Sequence, residues 1–117
     1  MAKTDKEVIF IPLPVFRSLS FVKDVKEIHL YGVETFGDEM ADIFHDKLDA
    51  SVSELKYHYN GYPECRHLRT KSRMYRNIIL GKYLIIYRIT EKRIEVLKAI
   101  HGSKSVSKIR TARRVRL

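Results

Sequence analysis

The chain has 117 residues, of which 44% are hydrophobic and 32% charged, and it contains one cysteine. This size suits a single domain with one core, and a lone cysteine excludes an internal disulfide. No apolar stretch approaches the roughly 20 residues of a membrane-spanning helix, and we see no signal peptide, so we expect a protein of the reducing cytoplasm.

The charge is divided unevenly along the chain. Residues 1–64 hold 7 Lys and Arg against 12 Asp and Glu, whereas residues 65–117 hold 16 against 2, within a net charge of +9. So basic a region attracts a polyanion, and the expected partner is nucleic acid or an acidic protein. The alternative is a domain that is merely basic.

The N-terminal segment predicts one short strand and one helix. Val8–Ile11 is β-branched and aromatic, and Pro12 and Pro14 end it because proline cannot donate to a strand ladder. Apolar residues at helical spacing then cover Val15–Tyr31, with Gly32 as the expected C-terminal stop.

A second and stronger helical pattern covers about Asp38–Tyr57. Thr35 and Asp38 form a weak capping box before it, and the turn-forming run at 60–63 ends it. Two helices with a short link predict an antiparallel hairpin.

The second half predicts three consecutive strands at Tyr75–Leu80, Tyr83–Thr90 and Arg93–His101. Their links are two-residue turns, which force antiparallel pairing. The element order β-α-α-β-β-β indicates an α+β fold, with the helical hairpin packed on a twisted antiparallel sheet. We take residues 1–104 as a single domain and residues 105–117 as a basic C-terminal tail.

Alternation in the middle strand assigns its two faces. Tyr83, Ile85, Tyr87 and Ile89 are expected to form the core beneath the helices, which leaves Arg88 on the other face. Arg76 and His101 also lie among apolar residues of their strands, the latter with Leu97 and Ala99. Such cations either extend to water at the edge of the sheet or form a positively charged surface that binds phosphate or carboxylate.

The tail carries a run of positive charge and a weak helical face of Val106, Ile109 and Ala112. A disordered solubilising tail is one interpretation. We favour a segment that becomes ordered on a partner.

The ordered set of motifs in the second half resembles the RelE/ParE toxin superfamily, including its plasmid-stabilisation members. Tyr75-Arg76, the run Gly81–Ile89, the run Ile94–Leu97 and the ending Ile100-His101-Gly102 carry the resemblance, which extends over about Val8 to Lys104. It implies a bacterial type II toxin that inhibits growth and is neutralised by an antitoxin. That antitoxin would have an acidic, amphipathic segment that covers the toxin's basic sheet face.

The superfamily divides by mechanism. ParE-like members bind DNA gyrase, and RelE-like members are ribosome-dependent, metal-independent mRNA interferases. The resemblance favours the ParE-like branch here, because Gly102 follows His101 where an Arg usually stands in RelE-like chains. Whether the chain is an enzyme stays open, and a non-toxic nucleic-acid-binding module is the third alternative.

An interferase would need cations at the phosphate and groups that transfer protons. Arg76 and Arg88 are the candidates for the first role, and His101 or Lys82 for the second. We expect no cofactor and no metal, since the histidines lack metal-ligand spacing. The predicted contacts to a partner or nucleic acid are Arg66, Arg69, Arg73, Arg76, Arg88, Lys104, Arg110 and Arg113.

Overall fold

The computed structural model describes residues 11–117 of the chain. Of the predicted strand Val8–Ile11, only Ile11 falls within them, and it is not in a strand. The elements in chain order are β1 (Val15–Arg17), α1 (Leu19–Phe36), α2 (Asp38–Ser53), α3 (Leu55–His58), β2 (Tyr75–Leu80), β3 (Tyr83–Ile89), β4 (Ile94–His101), α4 (Val106–Arg110) and a 3₁₀ turn (Thr111–Arg114).

The described residues form one sheet of four strands in the order β1-β4-β3-β2. β2, β3 and β4 pair antiparallel in sequence, as expected from their short turns. β1 pairs parallel with β4, so the sheet is mixed and not wholly antiparallel. The predicted α+β class and the β-α-α-β-β-β order are confirmed.

The first helix begins at Leu19, so the prediction that it starts at Val15 was wrong. Ser18 is the reason: its hydroxyl accepts the N–H of Phe21 at 2.9 Å and donates to the carbonyl of Leu97 at 2.9 Å. An N-cap of this kind satisfies a free donor of the first turn and fixes where the helix starts. The residues before it are thereby released to join the sheet as β1.

The hairpin turns at Gly37, not at Gly32. Gly32 lies inside α1, where an added Cβ would come within 3.3 Å of Ala41 Cβ, so it serves the close approach of the two helices. Gly37 reverses the chain direction between the two helices with φ +92°, a backbone conformation that residues with a Cβ atom rarely adopt. It is also the N-cap of α2, without a side-chain cap, so the capping box predicted for Thr35 was wrong.

The helix hairpin packs on one face of the sheet. Tyr87, Ile85 and Ile78 are buried there against Phe21 and Leu48 of the helices. The prediction that Tyr83, Ile85, Tyr87 and Ile89 face the helices is confirmed by this cluster and by the contact of the Tyr83 and Phe44 rings.

The opposite face of the sheet is also covered. Ile86, Leu97 and Ile100 are buried there against two segments, the loop before β2 and the C-terminal residues. Ile109 and Ala112 supply the C-terminal contacts and are buried. The tail was predicted to become ordered on a partner, whereas here it packs on the sheet of its own chain.

A β-bulge in β4 changes which residues share a face. Val96 pairs with Tyr87 and Lys98 with Ile86, which leaves Leu97 as the extra residue. Leu97 packs in the cluster under the C-terminal segment, whereas Ala99 packs in the helix-side cluster. The expectation that Leu97 and His101 share a face was therefore wrong.

Candidate functional site

Arg88 is held in an internal ion-pair network beneath the C-terminal segment. Its Nη2 lies 2.7 Å from Glu95 Oε1, and Arg93 Nε lies 2.8 Å from Glu95 Oε2. Arg88 also donates to the carbonyl oxygens of Arg113 and Val115, at 3.4 and 3.2 Å. The guanidinium therefore ties the C-terminal segment to the sheet, and most of its donors are occupied.

The charge of Glu95 is maintained by its partners. Burial raises the pKa of this carboxyl, but the hydrogen bonds and charges of Arg88 and Arg93 outweigh burial, and the net pKa is lowered from 4.5. Glu95 is thus ionised at neutral pH although it is buried.

Arg76 lies on the opposite face from Arg88. It pairs directly with Tyr87 across the strands, so the two side chains point to the helix side. Its Nη1 donates to the carbonyl of Tyr62 at 2.8 Å, and its Nε donates to the carbonyl of Arg73 at 2.9 Å. Arg76 therefore anchors the loop that precedes β2.

His101 and Lys82 meet at the far end of the sheet. His101 pairs with Tyr83, and their ring centroids are 5.4 Å apart. The Nδ1 atom of His101 accepts the N–H of Ser103 at 3.1 Å. Lys82 and Lys104 line the same depression as His101, which we call the hairpin groove.

The wall of the hairpin groove is apolar. It is formed by Ile28, Tyr31, Gly32, Phe36 and Phe44 from the two helices, and the volume is about 560 Å³. Tyr31 and Phe36 are 57% and 67% exposed and line the same depression, so together they form an apolar surface there. Sequence reasoning missed this wall because it ended the helix at Gly32, although the two aromatic residues flank that glycine.

The four candidate interferase residues do not converge. His101 pairs with Tyr83 of β3, and Arg88 lies five residues further along that strand. Five residues of strand span about 16 Å. Arg76 is also at the Arg88 end of the sheet, but on the other face. His101 and Lys82 are brought together, and the two arginines are separated both from them and from each other.

Four arginines line a second depression, on the face that the C-terminal segment covers. We call Arg66, Arg69, Arg110 and Arg113 the arginine patch. Arg110 Nε donates to the carbonyl of His67 at 3.4 Å and so links the loop before β2 to α4. In the described part of the chain, none of the four guanidinium groups lies within ion-pair distance of a carboxylate.

The other predicted partner contacts lie outside the arginine patch. Arg73 Nε is 3.7 Å from Glu64 Oε1, and its backbone has φ +56°. Lys104 belongs to the hairpin groove, and Arg76 and Arg88 have the internal roles described above. The eight predicted contact residues therefore divide between the arginine patch, the hairpin groove and the interior, and Arg73 is exposed outside all three.

Burial lowers the reactivity of the Cys65 thiol and the Tyr87 hydroxyl. Cys65 is buried, and burial raises the pKa of its thiol above the ordinary 9.0. Tyr87 is buried with its hydroxyl donating to the carbonyl of Tyr59 at 2.6 Å, and burial raises its pKa too. Neither group is poised for nucleophilic or stacking chemistry.

Residues 11–117 contain no group of three His, Cys, Asp or Glu side chains that could hold a metal ion. In the same part of the chain, no helix combines the length and the apolar character needed to cross a membrane.

Comparison with solved structures finds the same fold. A chain of the structure described as "Chromosomal ParDE TA system from P. aeruginosa" matches with a TM-score of 0.64 and 18% identity. The match covers 76% of this chain and 95% of that chain. A search of curated proteins found no match.

The sequence also matches a family model described as "ParE toxin of type II toxin-antitoxin system, parDE". The match covers residues 15–106, which run from β1 through β4 to the first residue of α4. It thus includes the sheet, the helix hairpin and the loop before β2, well over half of the chain. The resemblance to the RelE/ParE superfamily is confirmed, and the chain belongs to the ParE family of toxins, whose partners in type II systems are antitoxins.

Proposed function

We propose that this toxin stops bacterial growth by acting on DNA gyrase in the cytoplasm and that it does not cleave mRNA at the ribosome. The match to the ParE toxin family supports this target, and the separation of the candidate interferase residues counts against mRNA cleavage. Arg76 and Arg88 lie on opposite faces of the sheet, and His101 lies about 16 Å of strand away from Arg88.

Metal-independent RNA cleavage needs its groups around a single phosphodiester. A base, an acid and a cation must each come within hydrogen-bond reach, about 3 Å, of the reacting atoms. Arg88 is engaged by Glu95 and two carbonyls, and Arg76 by loop carbonyls. Freeing either guanidinium for a substrate would open the fold, because both hold loops to the sheet.

One observation favours the alternative, an mRNA interferase. His101, Lys82 and Lys104 share the hairpin groove, so a proton-transfer group lies beside two cations. An interferase built on these three would not require the arginines. A variant of His101 and Lys82 is therefore part of the test.

The test is induction of the toxin without its antitoxin, followed within minutes by primer extension on cellular mRNA. We expect growth arrest with intact mRNA, and we expect the purified protein to inhibit DNA supercoiling by purified gyrase. The variant His101→Gln/Lys82→Gln should still arrest growth. New cuts inside translated codons that this variant fails to make would establish the interferase. If induction causes neither growth arrest nor mRNA cuts, the protein is a non-toxic binding module.

We further propose that the cognate antitoxin binds the hairpin groove through an acidic, amphipathic segment. The groove offers both chemistries that such a segment needs, an apolar wall with Tyr31 and Phe36 and the cations Lys82 and Lys104. The basic sheet face, which was the expected site, is less suitable. Residues such as Ile109 and Ala112 of the same chain already cover it.

A further inference from the structure

We infer that the arginine patch is a binding site for the phosphodiester backbone of nucleic acid. The patch lies on the sheet face opposite the hairpin groove, and nothing in the gyrase proposal requires it. The inference therefore stands or falls separately from the proposed target.

The positive charge of the patch is not balanced by neighbouring carboxylates. Arg66, Arg69, Arg110 and Arg113 are exposed and have no carboxylate partner among the described residues. Glu64, which adjoins the patch loop, is engaged by Arg73 and by the N–H of Thr70, and residues 65–117 contain only two acidic residues, Glu91 and Glu95. Glu95 is buried between Arg88 and Arg93, so it does not neutralise the patch.

The patch is also prearranged by the fold. Two segments distant in sequence form it, residues 66–69 and 110–113. They are held together by the bond from Arg110 to the His67 carbonyl and by the burial of Leu68 and Ile109 in one cluster. Charges fixed on a packed surface lose less conformational freedom on binding than charges on a loose tail.

The surface of the patch favours a phosphate backbone over an acidic peptide. The apolar residues beneath the patch, Leu68 and Tyr75, are 3% and 6% exposed, so the surface offers a partner almost no apolar contact. An acidic amphipathic peptide would find nothing there for its apolar face. A phosphate backbone needs only donors and charge, and guanidinium groups match phosphate oxygens in pairs.

The experiment measures affinity of the full chain for a short labelled DNA duplex, and for single-stranded RNA of the same sequence, by fluorescence anisotropy. Salt is varied between about 50 and 200 mM, where phosphate contacts give a steep loss of affinity. Replacing all four patch arginines by Gln is expected to weaken binding at least about tenfold and to lessen the salt slope by about one per arginine. The nucleic acid that the protein binds more tightly, DNA duplex or single-stranded RNA, is the one whose phosphate backbone the patch recognises.

Two further variants make the test decisive. Lys23→Gln/Lys26→Gln/Lys47→Gln/Lys92→Gln removes the same charge from exposed positions outside the patch, and we expect at most about a twofold loss, since exposed charges beyond a Debye length are screened. Among the described residues, neither the Arg66 nor the Arg69 side chain takes part in a hydrogen bond or an ion pair, so Arg66→Gln/Arg69→Gln guards against misfolding. This variant should retain about half of the slope change.

Some results would overturn the inference. One is an equal loss in the lysine variant and the patch variant, because net charge alone would then explain binding. Another is binding of polyglutamate, but not of nucleic acid, that depends on the patch. The inference would also be overturned if the four-arginine variant were folded and bound nucleic acid as tightly as wild type.

Discussion

At the residue scale, Glu95 shows how a buried carboxylate is kept charged. The lowered pKa means that the folded state holds the ionised form more tightly than the unfolded chain does. Its contribution to stability is complete above the ordinary value of 4.5 and is lost as the pH falls through the lower value of the folded state.

We therefore predict that the free energy of unfolding of the wild-type chain decreases as the pH falls below 4.5, and that Glu95→Gln reduces this dependence. At pH 7 the variant should be less stable by about 2 kcal/mol, because two arginines lose a charged acceptor. Urea unfolding followed by circular dichroism at several pH values measures both effects. Glu91→Gln, at an exposed turn position, is the control. Parallel pH profiles of Glu95→Gln and wild type would contradict the prediction.

At the element scale, the C-terminal segment behaves as part of the fold. Its α4 has an N-cap at Ser105, whose side chain accepts the N–H of Lys108 at 3.3 Å. Ile109 is buried against the sheet, whereas Val106 on the same short helix is exposed. The segment thus closes the second face of the sheet, and the apolar cluster there depends on it.

Ile109→Ala should lower the free energy of unfolding by about 2–4 kcal/mol, since it removes a buried aliphatic side chain and leaves a cavity. Val106→Ala is the matched control and should change stability by less than about 0.5 kcal/mol. Thermal and urea unfolding of the two variants give the comparison. If both variants unfold like wild type, the segment is not packed on the sheet in solution.

The elements differ in how far sequence could predict them. β2 was predicted at Tyr75–Leu80 and is found there, because the two-residue turn that follows it and its β-branched and aromatic residues are local signals. The start of α1 depends on Ser18, whose hydroxyl bonds to Leu97 far along the chain. The bulge at Leu97 and the parallel pairing of β1 likewise arise only from tertiary contacts, which no local pattern reveals.

The placement of Arg76 and Arg88 on opposite faces was predictable from local sequence. The turn at 81–82 makes Leu80 pair with Tyr83, and counting outward puts Arg76 opposite Tyr87, on the other face from Arg88. The arginine patch was less accessible. Its members were recognised as basic, but the contact between the loop before β2 and α4 joins them, and that contact is long-range.

At the scale of the whole molecule, the sheet separates two surfaces of different chemistry. The hairpin groove combines apolar and cationic residues on the helix side, and the arginine patch is cationic and polar on the other side. Side chains of the sheet fill the space between them, and no described residue lines both surfaces. Sites that lie on opposite faces of a sheet and share no lining residue are expected to act independently.

We therefore predict that variants of the two surfaces have separate effects. Phe36→Ser/Lys104→Glu in the groove should weaken antitoxin binding at least about tenfold, because it removes an apolar anchor and reverses a charge. It should leave DNA affinity within about twofold, since screening limits the reach of the altered charge to about 8 Å. The four-arginine variant should show the reverse pattern, and Leu30→Ser/Lys26→Glu, outside the groove on α1, should change neither affinity.

Titration calorimetry with the antitoxin and anisotropy with the DNA duplex provide the two affinities for each variant and for the combined one. In the combined variant the free-energy changes should add to within about 0.5 kcal/mol, as they do for distant sites. A groove variant that loses DNA binding as severely as antitoxin binding would mean that both partners use one surface. If antitoxin binding fails only in the four-arginine variant, the antitoxin binds the arginine patch, because only the loss of those guanidinium groups weakens its affinity.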